Sequence, residues 1–180
     1  MKPATRAYTG KFLNIDQRRE VLPGGRRVTV ECVNHPGAVL IVPFLSPGKV
    51  VLLRQYRAVI KSWLYEFPAG TIEPGEKPIV CARREIIEET GYRAGRIKKL
   101  GRIYPVPGYS TEIITMFTAE RLTKVGMACE EDEVIEPQVF SKKDIRALLA
   151  RGRLIDAKTI CALGLCGWLE AVRLTALRYS

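Results

Sequence analysis

Between Pro78 and Gly91 the chain carries Glu85, Glu88 and Glu89 on a segment whose pattern predicts a helix over 77–90. Proline suits the first helical turn and glycine the left-handed stop just past the last one. Ile79, Ala82, Ile86 and Thr90 then fall on one core-facing stripe. Glu85 lies three residues from Glu88 and four from Glu89, so the three carboxylates share a sector about one turn long. Like charges at that spacing repel by roughly 0.2–0.5 kcal/mol per exposed pair, and by more where the dielectric is low. Two readings follow: a solvated acidic face neutralised by Arg83 and Arg84, or a site for a divalent cation. The preceding loop, AGTIEPGE, favours the second, because Gly70 and the Pro74-Gly75 turn let the backbone bend sharply and approach a ligand. All-oxygen ligands select Mg²⁺ or Mn²⁺ rather than zinc.

Around this device the chain reads as one α/β unit. AYTGKFLNI, QRREVL and RRVTVECV are strand-like, with a Pro23-Gly24-Gly25 turn before the last. AVLIVPFL is apolar on both faces and predicts a buried strand, and after the Ser46–Lys49 turn VVLLRQYR predicts its hairpin partner. Strand-like RIYPV and EIITMFTAE follow the helix, and SKKDIRALLA and DAKTICALGLCGWLEAVRL close the chain as helices. The expected division is an N-terminal β subregion over 1–35, then the main domain over 36–180.

Composition narrows the function classes. With 180 residues, 47% hydrophobic, the chain is long enough for a single core without staples. Five cysteines without a CxxC pair, and one histidine, His35, argue against a disulfide framework or structural zinc. The net charge of +10 suits anionic ligands, but the basic residues are scattered and form no nucleic-acid motif. No segment reads as a signal peptide or a bilayer span, so a cytoplasmic protein with reduced thiols is expected, with neither nucleic acid nor membrane as partner. Acidic residues cluster instead, at 85–89 and again in Glu130, Glu131, Asp132, Glu133 and Glu136.

The segment GTIEPGEKPIVCARREIIEETGY resembles the Nudix box of hydrolases that act on nucleoside diphosphates linked to another group. Gly70, five residues, Glu76, seven residues, Arg84-Glu85, an apolar residue, any residue, Glu88-Glu89, any residue and Gly91 match every fixed position. Tyr92 stands where an aliphatic residue is usual. The resemblance implies a Nudix fold, a mixed sheet sandwiched between helices. It implies metal ligands at Glu85 and Glu89 with the backbone carbonyl of Ala69, and Glu88 as a further ligand or neighbour. Arg84 would orient the glutamates and Glu76 would fix the loop.

Residues outside the box are similar to the ADP-ribose pyrophosphatases of that family: Pro107, sixteen residues after Gly91, and the runs HPGAV, VLLRQYR, YEFPAG, EDEVIE and DAKT. By that resemblance Glu131 is expected as general base or water-positioning residue, with Glu133 close to the metals. Glu112 is the rival base, or touches the terminal ribose. Arg57 would contact the phosphates, and Arg27 with Tyr8 or Phe12 the adenine. The implied partners are a small nucleotide-sugar substrate and a second copy of the chain exchanging N-terminal strands; His35 is expected to be structural. The expected reaction is Mg²⁺-dependent hydrolysis of ADP-ribose to AMP and ribose 5-phosphate. Alternatives are another nucleotide sugar such as GDP-mannose or ADP-glucose, a non-catalytic ADP-ribose sensor, or an RNA-decapping protein.

Overall fold

The computed structural model describes residues 5–10, 13–128 and 133–169. Strands β1 (Thr5–Thr9), β2 (Asn14–Val21) and β3 (Arg27–Asn34) form a three-stranded antiparallel sheet in chain order. A second, seven-stranded mixed sheet comprises β4 (Ala38–Ser46), β5 (Lys49–Arg57), β6 (Ser62–Glu66), β7 (Ala69–Thr71), β8 (Tyr92–Ile103), β9 (Ile114–Lys124) and β10 (Ile135–Ser141). Its main order is β10-β5-β4-β9-β8, with β6 on β5, β7 on β4, and β4 parallel to β9.

The central strands are apolar on both faces because both faces are covered. Val39 and Ile41 point to helix α1 (Pro78–Thr90), packing with Cys81, Ala82, Ile86, Phe117 and Ala119. Their neighbours Leu40 and Val42 point the other way, toward Ile145 of α2 (Lys142–Ala150) and Leu163 of α3 (Ala157–Leu165). The sheet lies between helices as expected. Among the described residues no helix is long and apolar enough to cross a membrane.

The hairpin expected of the two long central runs exists only at its turn. β4 and β5 pair at Phe44↔Val50 and Ser46↔Lys49, with a bulge between, and then separate. β5 turns to β6 and β10, whereas β4 turns to β7 and β9. The chain crosses that split through Phe67 and Pro68, between Glu66, which pairs with Leu53, and Ala69, which pairs with Leu40. Phe67 is buried, and the Pro68 carbonyl accepts from Ile41 N–H at 2.9 Å, so the YEFPAG run plugs the gap with apolar bulk and a satisfied backbone.

Further elements depart from the sequence reading, among them β8, β10 and α3. β8 starts directly after α1 rather than at RIYPV, of which it includes only Arg102 and Ile103; its Lys- and Arg-rich exposed positions hide the strand period. β10 lies where no element is expected from the sequence, and Pro137 is at home in it because β10 is an edge strand. α3 ends at Leu165, well before the end expected of it. There Gly167 (φ 66) donates to Gly164 and Trp168 N–H to Leu163, closing a Schellman turn that folds Trp168 back against Phe44 with ring centroids 5.7 Å apart. Residues 170–180 lie outside the described residues.

Candidate active site

Helix α1 buries two carboxylates along with its apolar stripe: Glu85 and Glu89 occupy the same face as Ala82 and Ile86. Glu89 is 2% exposed, and its Oε2 accepts from Ala69 N–H at 2.8 Å. Glu85 lies against the backbone of Gly70. A Cβ at that glycine would stand 2.5 Å from Glu85 Oε2 and closer still to Oε1 and Cδ, so hydrogen is the only substituent that fits. β7 thus lies directly against α1 at Ala69 and Gly70.

Arg84 ties the acidic groups together. Nη1 donates to Glu85 Oε1 at 2.8 Å and to Glu88 Oε2 at 3.0 Å, while Nε and Nη2 donate to Glu76 at 3.2 and 3.1 Å. Glu76 Oε2 in turn accepts from Glu73 N–H at 3.1 Å, fixing the loop. The Glu76 hydrogen bond holds the guanidinium well above its ordinary range. Buried Cys81 touches the same loop, and desolvation pushes its thiol up to about 12, which makes it inert.

The two buried carboxyls behave differently from ordinary glutamates. Burial pushes Glu85 up to about 7, against the pull of Arg84, with Glu88 and Glu133 adding repulsion. Burial pushes Glu89 up to about 8, opposed by the Ala69 N–H and reinforced by Glu85 and Glu133. Among the described residues no cation stands within ion-pair distance of Glu89. Nor is any group of three or more His, Cys, Asp or Glu side chains gathered there so as to hold a metal unaided. An all-oxygen pair, desolvated, mutually repelling and set against a glycine with room for nothing larger, nevertheless fits a hard divalent cation.

This fixes the sign of a pH effect on the metal-free protein. Both carboxyls rise from an ordinary 4.5, so between there and about 7 to 8 the folded state holds protons that the unfolded chain has released. Their stabilisation is complete below the unfolded value and is lost as pH rises through the folded values. The thermal midpoint of chelator-treated protein is expected to fall between pH 6 and pH 8.5, and Mg²⁺ to recover most of the loss. A midpoint that rises over this range without metal overturns the assignment of uncompensated charge.

Along β7 a cleft of about 370 Å³ is lined by Arg57, Gly70, Pro105, Glu112, Asp156 and Lys158, with Ala69 also in its wall. Arg57 grips buried Glu66 with both arms of its fork, Nε to Oε1 at 2.8 Å and Nη2 to Oε2 at 2.7 Å. Lys158 Nζ also donates to Glu66 Oε2, and to Asp156 Oδ1 at 2.8 Å. Burial alone would raise Glu66, but the Arg57 hydrogen bonds and the Lys158 charge bring it below the ordinary carboxylate range. Asp156 also caps α3 through Thr159 N–H, and the buried Thr159 hydroxyl accepts from Phe67 N–H at 2.9 Å. The DAKT run therefore locks the start of α3 onto YEFPAG.

Of the residues expected from sequence, Arg57, Ala69 and Glu112 line this cleft, with Glu85 beneath its Gly70 wall. Glu133 is near enough for its charge to act on Glu85 and Glu89. Pro107 sits exposed in a turn, and the proline in the wall is Pro105. Arg27 is exposed at the start of β3 and is not among the lining residues, and Tyr8 is exposed on β1. Glu131 and Phe12 lie outside the described residues. His35 has a structural contact: its Nδ1 accepts from Gly37 N–H at 3.0 Å, and its Nε2 lies 3.9 Å from Glu112 Oε1. Glu66, Asp156 and Lys158 carried no individual role in the sequence reading; the available signal was a glutamate set inside an otherwise apolar strand end.

Comparison with known proteins follows the same outline. The NUDIX domain model matches residues 34–163. The chain is 35% identical over 158 residues to the ADP-ribose pyrophosphatase of Bacillus subtilis, covering 87% of this chain and 85% of that one. It is 34% identical over 167 residues to the GDP-mannose pyrophosphatase of Yersinia pestis, covering 86% and 77%. A solved structure described as an ADP compounds hydrolase superposes with a TM-score of 0.80 at 23% identity over 92% of this chain and 90% of that one.

Proposed function

Because the chain belongs to the NUDIX family, we propose that its cleft hydrolyses the pyrophosphate of ADP-ribose to AMP and ribose 5-phosphate. The observation that carries this reading is the arrangement about β7: paired buried carboxylates set against the Ala69 and Gly70 backbone, and an open, arginine-walled cleft lined by the same two residues. Glu85 and Glu89 would hold Mg²⁺, with Mn²⁺ as substitute, assisted by Glu88 and the Ala69 carbonyl. When bound, the cation supplies charge neutralisation at the pyrophosphate and acidifies the attacking water.

The chain's own residues do the rest. Arg57 keeps three N–H donors beyond the two bound to Glu66, and a planar fork suits phosphate oxygens. Arg84 holds Glu85 and Glu88 in place from behind and touches no substrate. Glu112, on the cleft wall, faces the terminal ribose. The acidic segment before β10 supplies the base, Glu131, with Glu133 beside the carboxylate pair. A free glutamate, with a pKa of about 4.3, is a weak base for water, so its part is to aim the nucleophile and take a proton already made acidic. Arg27 would reach adenine from the N-terminal sheet of a partner copy in a homodimer. What supports a shared N-terminal sheet is β1, exposed along its length, and exposed apolar Tyr8, Leu13 and Val21. The proposed setting is the cytoplasm.

Chromatographic product analysis with Mg²⁺ and ADP-ribose, ADP-glucose and GDP-mannose tests the reading. AMP released preferentially from ADP-ribose, and lost on chelation, is the expected result. Preferential cleavage of GDP-mannose, the compound in the name of the Yersinia relative, would retain the chemistry and replace the base pocket. Tight binding of ADP-ribose without cleavage would make the protein a sensor.

A further inference from the structure

We propose that Lys158 is a second phosphate-binding cation of the cleft, held beside Arg57 by the buried carboxylate of Glu66. The inference rests on the pyrophosphatase reading of the site and adds to it a binding residue and a positioning residue.

The geometry is specific. Glu66 is 1% exposed and lies at the end of β6, where the chain enters the split between β4 and β5. Its Oε2 accepts from both Arg57 Nη2 and Lys158 Nζ. Two cationic nitrogens on one oxygen atom are close enough neighbours for a single phosphate group to span them. Neither cation is used up by the carboxylate. Lys158 has three N–H donors and, among the described residues, two acceptors, Glu66 and Asp156. Its side chain is 18% exposed and that of Arg57 40%, and both line the cleft. Both cations therefore keep donors to spare on side chains that wall the space a pyrophosphate would fill.

The charges also make sense together. Glu66 and Asp156 balance Arg57 and Lys158 before a ligand arrives, so two like charges can stand side by side at little cost. Glu66 is closed off from the cleft by the cations it holds, and it fixes both before substrate binds, which lowers the ordering needed on binding. An alternative role for Lys158 is as a brace for the start of α3. Asp156 and Thr159 already supply that brace, through the cap and the bond to Phe67.

Lys158→Met keeps the aliphatic stem and removes the charge. We expect KM for ADP-ribose to rise about 10-fold or more, kcat to stay within about 3-fold, and the inhibition constant of inorganic pyrophosphate to rise in parallel. Lys158→Arg is expected to recover most of the affinity. The proposal is overturned if Lys158→Met leaves KM and pyrophosphate inhibition unchanged. It is equally overturned if affinity falls only as far as the thermal midpoint does and arginine fails to restore it. Should the methionine variant not fold, acylation of Lys158 Nζ in the wild-type protein decides: pyrophosphate with Mg²⁺ should slow it several-fold, and equal rates with and without pyrophosphate overturn the assignment. Because pyrophosphate lacks base and sugar, failure of the ADP-ribose reading in the substrate panel leaves this arm intact.

Discussion

Glu89→Gln is expected to leave a folded protein whose turnover at saturating Mg²⁺ drops about 1,000-fold, several kcal/mol of lost transition-state stabilisation. The substitution is nearly isosteric, and the amide oxygen can still accept the Ala69 N–H that Glu89 accepts at 2.8 Å. What disappears is a charge held in a desolvated place, where burial pushes the carboxyl up to about 8. Two effects of opposite sign should therefore appear in one variant. Activity collapses, while the metal-free protein at pH 8.5 becomes at least as heat-stable as wild type, because a carboxylate no longer has to ionise against its surroundings. Kinetics and thermal denaturation under chelator, run side by side, check both. Retained turnover removes Glu89 from the metal assignment, and a large loss of metal-free stability would mean that the carboxylate is chiefly structural.

Gly70→Ala is expected to lower kcat/KM about 100-fold with a stability loss of about 1–3 kcal/mol. The added methyl would overlap Glu85 Oε1 and Cδ and stand 2.5 Å from Oε2. A surface glutamate would swing away, but Glu85 is 8% exposed and clasped by Arg84 at 2.8 Å. Either the carboxylate is displaced from the pair, or β7 moves off α1 and takes the Ala69 contact to Glu89 with it. Both outcomes disturb the groups proposed to hold the cation, and neither touches Arg57. Substrate affinity measured without Mg²⁺ should change far less than turnover; equal losses in the two would place the damage in the cleft wall instead.

The carboxylate helix was legible in the sequence because everything that specifies it is local. Pro78 starts it, Gly91 (φ 71) stops it, and three glutamates on one sector mark a site. The two buried central strands were legible for a similar reason: unbroken apolar runs admit only a strand covered on both faces. Glu66 and Lys158 were not, because their partnership is between residues 92 apart in the chain and depends on α3 docking on the segment that fills the sheet. No period or spacing encodes that meeting. The extent of the β4–β5 pairing was hidden as well. Two apolar runs joined by a short turn predict a full ladder, and the competing partners β6, β7, β9 and β10 are spread over the chain from 62 to 141.

That incomplete ladder has a consequence for how the protein could be altered. A sheet whose central strands abandon each other midway has a crevice by construction, and ligands settle where strands part company. Here the vacancy between them is taken by five residues, Glu66–Gly70, which present a cation holder at one end and a bare backbone at the other. The hydrogen bonds that β4 and β5 forgo are thus the raw material of the site. Engineering that zipped the two strands together would yield a sturdier sheet with nowhere to do chemistry, so gains in robustness have to be sought at the rim, in the loops and outer strands, and not along this fault line.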